Sequence, residues 1–241
     1  MHTIASPSLR ASVSNVIAQR HLLGHPFYLD WSRGALTLDD LRCYAGQYMH
    51  HVLAEPTYLS AVHANTPHYA ADGTSDLRPR QTILKNLVDE ELGADNHPEL
   101  WKRFSQALGL RERDLAAATP FPETADLVDT FRDACRNRPY YAGLAALHAF
   151  ESQVPAIASV KIDGLRRFYA MTDPADYEFF TVHQEADVAH SAAEWSLIER
   201  AADTAEKQAE VVDATVRACD ALWRFLDGVE RSRAERRPQP T

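Results

Sequence analysis

The spacing of apolar side chains is the feature that most constrains how this chain folds. Apolar residues recur three and four positions apart, as in Leu38, Leu41, Ala45 and Tyr48. That period places them on one face of an α-helix. Alternating β-branched runs are nearly absent, and glycine accounts for only 9 of 241 residues. The pattern therefore predicts an all-α protein.

Capping and breaking residues divide this pattern into helices. Thr37 is suited to N-cap a helix, with Asp40 at the third position of its first turn. A further helix follows Pro56, the stretch 67–79 is the clearest loop, and His97 stands at the start of another helix. Later helices are predicted over 123–137, 140–153, 156–172, 176–201 and 204–230. We expect a single domain of seven or eight helices over 1–230, followed by a flexible basic tail at 231–241.

Charge and cysteine content exclude several classes of protein. The chain has 25 Lys and Arg against 34 Asp and Glu, a net charge of −9. An acidic body of this kind repels nucleic acids and anionic membranes. Three distant cysteines argue against a disulfide framework or a structural zinc site. Without a signal-peptide pattern or an apolar run of about 20 residues, the expected location is the cytoplasm.

The strongest candidate for chemistry is the segment FFTVHQEADVAHSAAEW. His183, Asp187 and His190 stand at positions i, i+4 and i+7, so they fall within about 60° of one another on a helix. Two imidazoles and a carboxylate on one stripe form a possible metal-ligand set. Phe179 shares the stripe, which indicates an apolar interior where an unpaired carboxylate is costly. Spacing alone also allows an ordinary polar helix face with two histidines.

Other segments supply further candidate ligands. Glu151 lies on an otherwise apolar stripe, and Glu90 precedes His97 across a break at Gly93. Spacing does not distinguish Glu90 from its neighbour Glu91. Together with the first set, these give three carboxylates and three histidines from at least three helical segments. Helical two-metal sites are built in this way, and a set without thiolates suits iron or manganese.

These residues occur within longer motifs that resemble a known superfamily. The chain is similar to the haem-oxygenase-like dimetal oxidases, which are related to TenA/PqqC-like proteins. The resemblance is closest to the CADD-like branch (Chlamydia protein associating with death domains), which is linked to folate metabolism. The matching text is HPFYLDW at 25–31, LTLDDLRCYAGQYMHHV at 36–52, PTYLSAVHAN at 56–65, NLVDEELGADNHPELW at 86–101 and FESQVP at 150–155.

The resemblance implies a seven-helix bundle with two metals at its centre, held by a set of six ligands. That set is Glu90 (selected over Glu91), His97, Glu151, His183, Asp187 and His190. The metals would be two iron ions or one manganese and one iron. After reduction by an external reductant they would react with O2 and oxidise a nearby organic group. The family also implies a homodimer.

The CADD-like branch is further associated with making p-aminobenzoate from the protein's own side chains. The positions that match its ring source and its nitrogen donor are Tyr28 and Lys161. Some residues depart from the branch pattern: Phe150 and Phe179 stand in place of tyrosines, and Glu55 replaces an apolar residue. Fewer tyrosines would remove radical relays, and a new carboxylate could bind the amine of a substrate.

These departures keep two alternatives open. In the first, the same metal site oxidises a diffusible, amino-acid-like substrate by N-oxygenation, oxidative C–C cleavage or decarboxylation. In the second, the chain is an interaction protein whose metals are structural. Three carboxylates and three histidines leave open positions on two metals, which favours an enzyme.

Overall fold

A computed structural model describes residues 7–70 and 72–237, and most of these residues are helical. The α-helices are α1 (Leu9–Gln19), α2 (Pro26–Arg33), α3 (Leu38–Asn65), α4 (Arg78–Glu91), α5 (His97–Ala107), α6 (Glu112–Ala116), α7 (Pro122–Asn137), α8 (Tyr140–Glu151), α9 (Val154–Phe168), α10 (Glu178–Ala201) and α11 (Ala205–Arg236). The predicted all-α class is confirmed. The short helices α2 and α6 lie outside the predicted set because they span too few turns to show a periodic apolar stripe.

Helix α3 begins where the capping signal placed it. The Thr37 hydroxyl accepts a hydrogen bond from the Asp40 backbone amide at 3.1 Å, and the Asp40 carboxylate accepts one from the Thr37 amide at 2.9 Å. This reciprocal pair satisfies two backbone donors at the helix start. Pro56 does not separate two helices, as the sequence suggested, but lies inside one helix of 28 residues. Burial of α3 on both sides of Pro56 stabilises the continuous helix despite the lost backbone hydrogen bond.

The remaining helices surround a common interior. Helix α8 packs against α7, α10 and α11, while α3 packs against α4, α5 and α7. Helix α10 also contacts α4, α5 and α9, so its inward face meets residues from most of the bundle. Among the described residues, no helix has both the length and the apolar character needed to cross a membrane. The packing places α4, α5, α8 and α10 around one buried region.

The C-terminal helix is longer than the sequence predicted. We expected a flexible tail from Arg231, but α11 continues to Arg236. Arg233 explains the extension, because its buried guanidinium pairs with Asp30 at 2.6 Å and with Asp40 at 3.3 Å. These partners lie near the N-terminus and were not visible as neighbours in the sequence. The predicted mobility of 238–241 concerns residues outside the described part of the chain.

Candidate metal centre

Three candidate ligands meet where α4, α5 and α10 converge. Glu90 lies in the last turn of α4 and His97 is the first residue of α5, and Gly93, at φ 98°, permits the sharp turn between them. The turn brings His97 Nδ1 to 2.5 Å from Glu90 Oε2. The His183 ring, from α10, lies 4.1 Å from the His97 ring between centroids. Glu90, His97 and His183 form the first trio.

The second trio joins the end of α8 to the middle of α10. It consists of Glu151, Asp187 and His190, all of them buried. His190 Nδ1 lies 3.6 Å from Asp187 Oδ1, and His190 Nε2 lies 3.2 Å from a carboxylate oxygen of Asp89. Within each trio, one nitrogen or oxygen atom per residue lies within 4.8 Å of those of the other two. The structure thus brings together all six predicted ligands, and their role in binding metal stays a prediction.

Several buried carboxylate oxygen atoms in this region have no hydrogen-bond partner within the described part of the chain. Both carboxylate oxygens of Glu151, both of Glu194 and Oδ2 of Asp187 are buried without a hydrogen-bond partner among the described residues. A buried carboxylate without a partner costs several kcal/mol, to an order of magnitude, unless it is protonated or paired with a cation. Oxygen and imidazole nitrogen are ligands that suit iron and manganese. The residues present therefore fit a pair of divalent cations.

Electrostatic effects on the ligands lead to the same conclusion. Burial, together with the charge of Asp187, raises the pKa of Glu90 to about 8. Burial and the neighbouring Glu194 raise the pKa of Glu151 well above its usual range. Burial also lowers the pKa of His97 to about 4, so its imidazole is neutral near pH 7. Neutral imidazoles are the form that binds metals, and divalent cations would displace the protons held by the carboxyl groups.

One ligand histidine is oriented by the backbone. The Nδ1–H of His183 donates to the carbonyl of Phe179 at 2.5 Å, one helical turn earlier. That hydrogen bond leaves Nε2 of His183 as its free nitrogen. Phe179, which replaces the expected tyrosine, also stacks close to the ring, at 4.0 Å between centroids. The aromatic side chain and the carbonyl together hold the imidazole in place.

A small cavity beside the first trio contains the two other predicted site residues. Its lining includes Tyr28, Lys161 and His183, and we call it the lysine pocket. The Lys161 ammonium nitrogen lies 5.6 Å from the centre of the Tyr28 ring. It donates a hydrogen bond to the Tyr44 hydroxyl at 2.7 Å, and that hydroxyl is 3.4 Å from the Tyr28 hydroxyl. Burial lowers the pKa of Lys161 to about 7, so much of the amine is neutral at neutral pH.

Sequence reasoning missed Tyr44 and Asp89. Tyr44 contacts Lys161, and its ring stacks on Tyr48 at 5.5 Å. Tyr44 could have been found from helical spacing, because it lies on one face of α3 with three other polar or aromatic residues, Tyr48, His51 and Glu55. Asp89 contacts His190, but nothing in the sequence distinguished this residue from the other acidic residues that precede Gly93.

Glu55, which the sequence analysis noted as a carboxylate that could bind a substrate amine, lies close to the candidate centre. It is buried on α3, and burial followed by the charges of Glu90 and Asp187 raises its pKa well above the usual range. His51, one turn earlier, is also buried and has no hydrogen-bond partner for either ring nitrogen among the described residues. Binding of a substrate amine by Glu55 stays a prediction.

Comparison with known proteins supports the interpretation of the motifs. Residues 42–223 match a haem-oxygenase-like family described as iron-containing redox enzymes. A protein of Nitrosomonas europaea named 4-aminobenzoate synthase is 60% identical over 230 residues, covering 95% of this chain and 94% of that protein. A Chlamydia trachomatis protein of the same name is 41% identical over 213 residues, covering 88% of this chain and 87% of its own length.

Solved structures show the same fold. A TenA homologue from Pseudomonas syringae superposes with a TM-score of 0.81 at 17% identity, covering 96% of each chain. A CADD-like protein from Nostoc punctiforme gives a TM-score of 0.73 at 16% identity, covering 93% of this chain and 96% of its own. The resemblance expected from the motifs is confirmed, as is the haem-oxygenase-like fold. This chain belongs to the haem-oxygenase-like family of iron-containing redox enzymes and is an oxidoreductase.

Proposed function

We propose that this protein forms 4-aminobenzoate in an O2-dependent reaction, with Tyr28 as the source of the ring and Lys161 as the source of nitrogen. The two trios would hold two iron ions, or one manganese and one iron, and an external reductant would supply electrons. The names of the relatives from Nitrosomonas europaea and Chlamydia trachomatis support the product. The arrangement around Lys161 supports Tyr28 and Lys161 as the sources of the product's ring and nitrogen.

The size of the lysine pocket is the observation that carries this proposal. Its volume is about 20 Å³, which is room for about one water molecule and not for an aromatic substrate. The aromatic rings within reach of the Lys161 amine are therefore those of the protein itself. Tyr28 and Tyr44 both line the pocket, with ring centres 5.6 and 4.9 Å from the Lys161 nitrogen.

The chain's own residues prepare the amine for reaction. A neutral amine has the lone pair that attack on a carbon atom requires. The aromatic rings around Lys161 exclude water and favour the uncharged form, while Tyr44 orients the nitrogen by its hydrogen bond. His183 lines the same pocket and belongs to the first trio, so the candidate metal centre adjoins the reacting groups. The bound metals would supply the oxidising chemistry with O2.

Mass spectrometry of the whole chain tests the origin of the product. The protein would be loaded with Fe(II) without oxygen, its metal content measured, and then exposed to O2 with a reductant. We expect about two metals per chain, at most about one 4-aminobenzoate per chain, and a mass loss that maps to Tyr28. Many turnovers with an unchanged chain mass would contradict self-consumption.

Isotope labels and matched variants identify the donor residues. Protein grown on ring-13C tyrosine and 15N lysine should release 4-aminobenzoate that carries both labels. Tyr28→Phe should abolish the product, whereas Tyr58→Phe, a buried tyrosine of α3 outside the lysine pocket, should retain it. Tyr44→Phe should slow the reaction and keep the labelled product. Abolition by Tyr44→Phe, with a mass loss at Tyr44 in the Tyr28→Phe protein, would reassign the ring source.

A larger cavity supports a second candidate, oxidation of a diffusible amino-acid-like substrate. This cavity has a volume of about 320 Å³ and reaches the second trio through His190, which lines it together with the buried Glu194. We call it the α4–α10 cavity. Its volume is in the range of small-ligand sites. Multiple turnovers with an added amino acid, retained by Tyr28→Phe, would favour this alternative.

Assembly and location are proposed on the resemblance. We propose a homodimer in the cytoplasm, which takes up O2 and binds neither nucleic acid nor membranes. Light scattering during size-exclusion chromatography tests the assembly: a dimeric mass is expected, and a monomeric mass at micromolar concentration would contradict it.

A further inference from the structure

The two histidines on α10 expose different nitrogen atoms to the candidate centre. In His183, Nδ1 is engaged by a backbone carbonyl and Nε2 is free. In His190 the arrangement is reversed: Nδ1 is buried without a hydrogen-bond partner among the described residues and faces Asp187 at 3.6 Å. Its Nε2 points the other way, toward Asp89 at 3.2 Å. For Nδ1 to serve as the metal ligand, the proton of His190 has to stay on Nε2.

We propose that Asp89 is a positioning residue that does this. An ionised carboxylate only accepts hydrogen bonds, so the contact with Asp89 requires a proton on Nε2 of His190. A neutral imidazole with that proton has its lone pair on Nδ1, directed toward the second trio. Carboxylates that hold metal-bound histidines in this way fix the tautomer and the ring orientation. The inference rests on the two-metal centre of the proposed function but not on the origin of 4-aminobenzoate.

The position of Asp89 suits the role. Its side chain is 59% exposed, whereas that of His190 is 11% exposed. The carboxylate therefore keeps part of its hydration, in contrast to the buried carboxylates of the centre. Asp89 and His190 both line the α4–α10 cavity, so the contact lies between the solvent side and the second trio. Asp89 also adjoins Glu90 in α4, which connects the two trios through one helix end.

Binding of Co(II) under anaerobic conditions tests the proposal without relying on activity. Affinities for each metal would be measured by competition with a chelator and by the visible absorption of bound Co(II). We expect two Co(II) per wild-type chain. In Asp89→Ala, one of them should bind about 10- to 100-fold more weakly. Asp89→Asn should lose less, because its amide oxygen can still accept from Nε2–H.

Controls separate this role from a general effect on folding. Glu91→Ala changes an exposed neighbour on the same helix end and should bind both metals as the wild type does. In the Zn(II)-loaded protein, the 15N ring spectrum of His190, assigned by its loss in His190→Gln, should show a protonated Nε2. That pattern should weaken in Asp89→Ala.

The outcomes distinguish the role of Asp89 from the existence of the two-metal centre. Two unchanged Co(II) affinities in Asp89→Ala, or equal weakening of both metals, would overturn the role of Asp89 while leaving the metal centre in place. A ring spectrum with metal on Nε2 of His190 would also overturn it. Failure of the wild type itself to bind two metals would instead refute the two-metal centre of the proposed function.

Discussion

Replacing Lys161 by methionine should change how the stability of the protein depends on pH. Lys161 is 4% exposed, and its nitrogen lies among aromatic rings, 4.8 Å from the centre of Phe180 and 5.3 Å from that of Tyr48. Methionine has a similar length and no charge, so Lys161→Met fills the same space without a desolvated ammonium group. The substitution also removes the hydrogen bond to Tyr44, which lowers the free energy of unfolding of the variant by about 1 kcal/mol at every pH.

The size and sign of the effect follow from linkage. Burial lowers the pKa of Lys161 from 10.5 to about 7 in the folded protein. Between these values the unfolded chain binds the proton and the folded chain does not, so the free energy of unfolding of the wild type rises with pH. The full shift corresponds to about 5 kcal/mol, and the part between pH 7 and 9 is about 2 kcal/mol. Lys161→Met lacks this contribution.

Urea unfolding of the metal-free proteins at pH 7, 8 and 9 provides the assay. From pH 7 to pH 9, the free energy of unfolding of the wild type should increase by about 2 kcal/mol relative to that of Lys161→Met. All other titrating groups are common to both proteins and cancel in the difference. Lys207→Met, which alters a lysine on the surface of α11, should follow the wild type. A difference between wild type and Lys161→Met that stays constant with pH would refute the reasoning.

Three further predictions concern single positions. Thr37→Ala removes the cap of α3 and should lower the free energy of unfolding by about 1 kcal/mol, measured by urea denaturation; no change would contradict the capping role. Glu151→Gln should raise the melting temperature of the metal-free protein, because it removes a buried unpaired carboxyl group, yet lower the Co(II) content; unchanged Co(II) binding would exclude Glu151 as a ligand. Gly164→Ala places a Cβ 2.6 Å from Trp31 and should destabilise by about 1–3 kcal/mol. Gly24→Ala, with nothing within 4 Å, is its control, and equal melting temperatures would refute the clash.

Much of the helical architecture could be predicted because helix formation depends on local patterns. The 3–4 apolar period and the Thr37–Asp40 capping pair are properties of neighbouring residues, and both were confirmed. Pro56 was misread for the same reason. The local rule says that proline ends a helix, but tertiary burial of α3 on both sides outweighs the lost hydrogen bond. The extension of α11 likewise depends on Asp30 and Asp40, which are distant in sequence from Arg233.

Some residues of the candidate site could likewise be predicted from local spacing, and others could not. His183, Asp187 and His190 were visible from spacing because one helix carries all three. The sequence indicated only a break at Gly93 between Glu90 and His97, and the structure shows that the turn there brings these two side chains together. The motif resemblance was needed to choose Glu90 over Glu91, a choice that the structure supports since Glu90 is buried and Glu91 is exposed.

By itself, the sequence determined the helical class, the acidic character and the identities of the six candidate ligands, because periodicity, composition and motifs are carried by the chain. Only the tertiary structure decided how those ligands divide into two trios, that Tyr44 contacts Lys161 and that Asp89 contacts His190. It also decided that the lysine pocket is too small for a foreign ring. Those properties depend on distances between helices, and these are set by side-chain packing across the whole bundle, which no local pattern records.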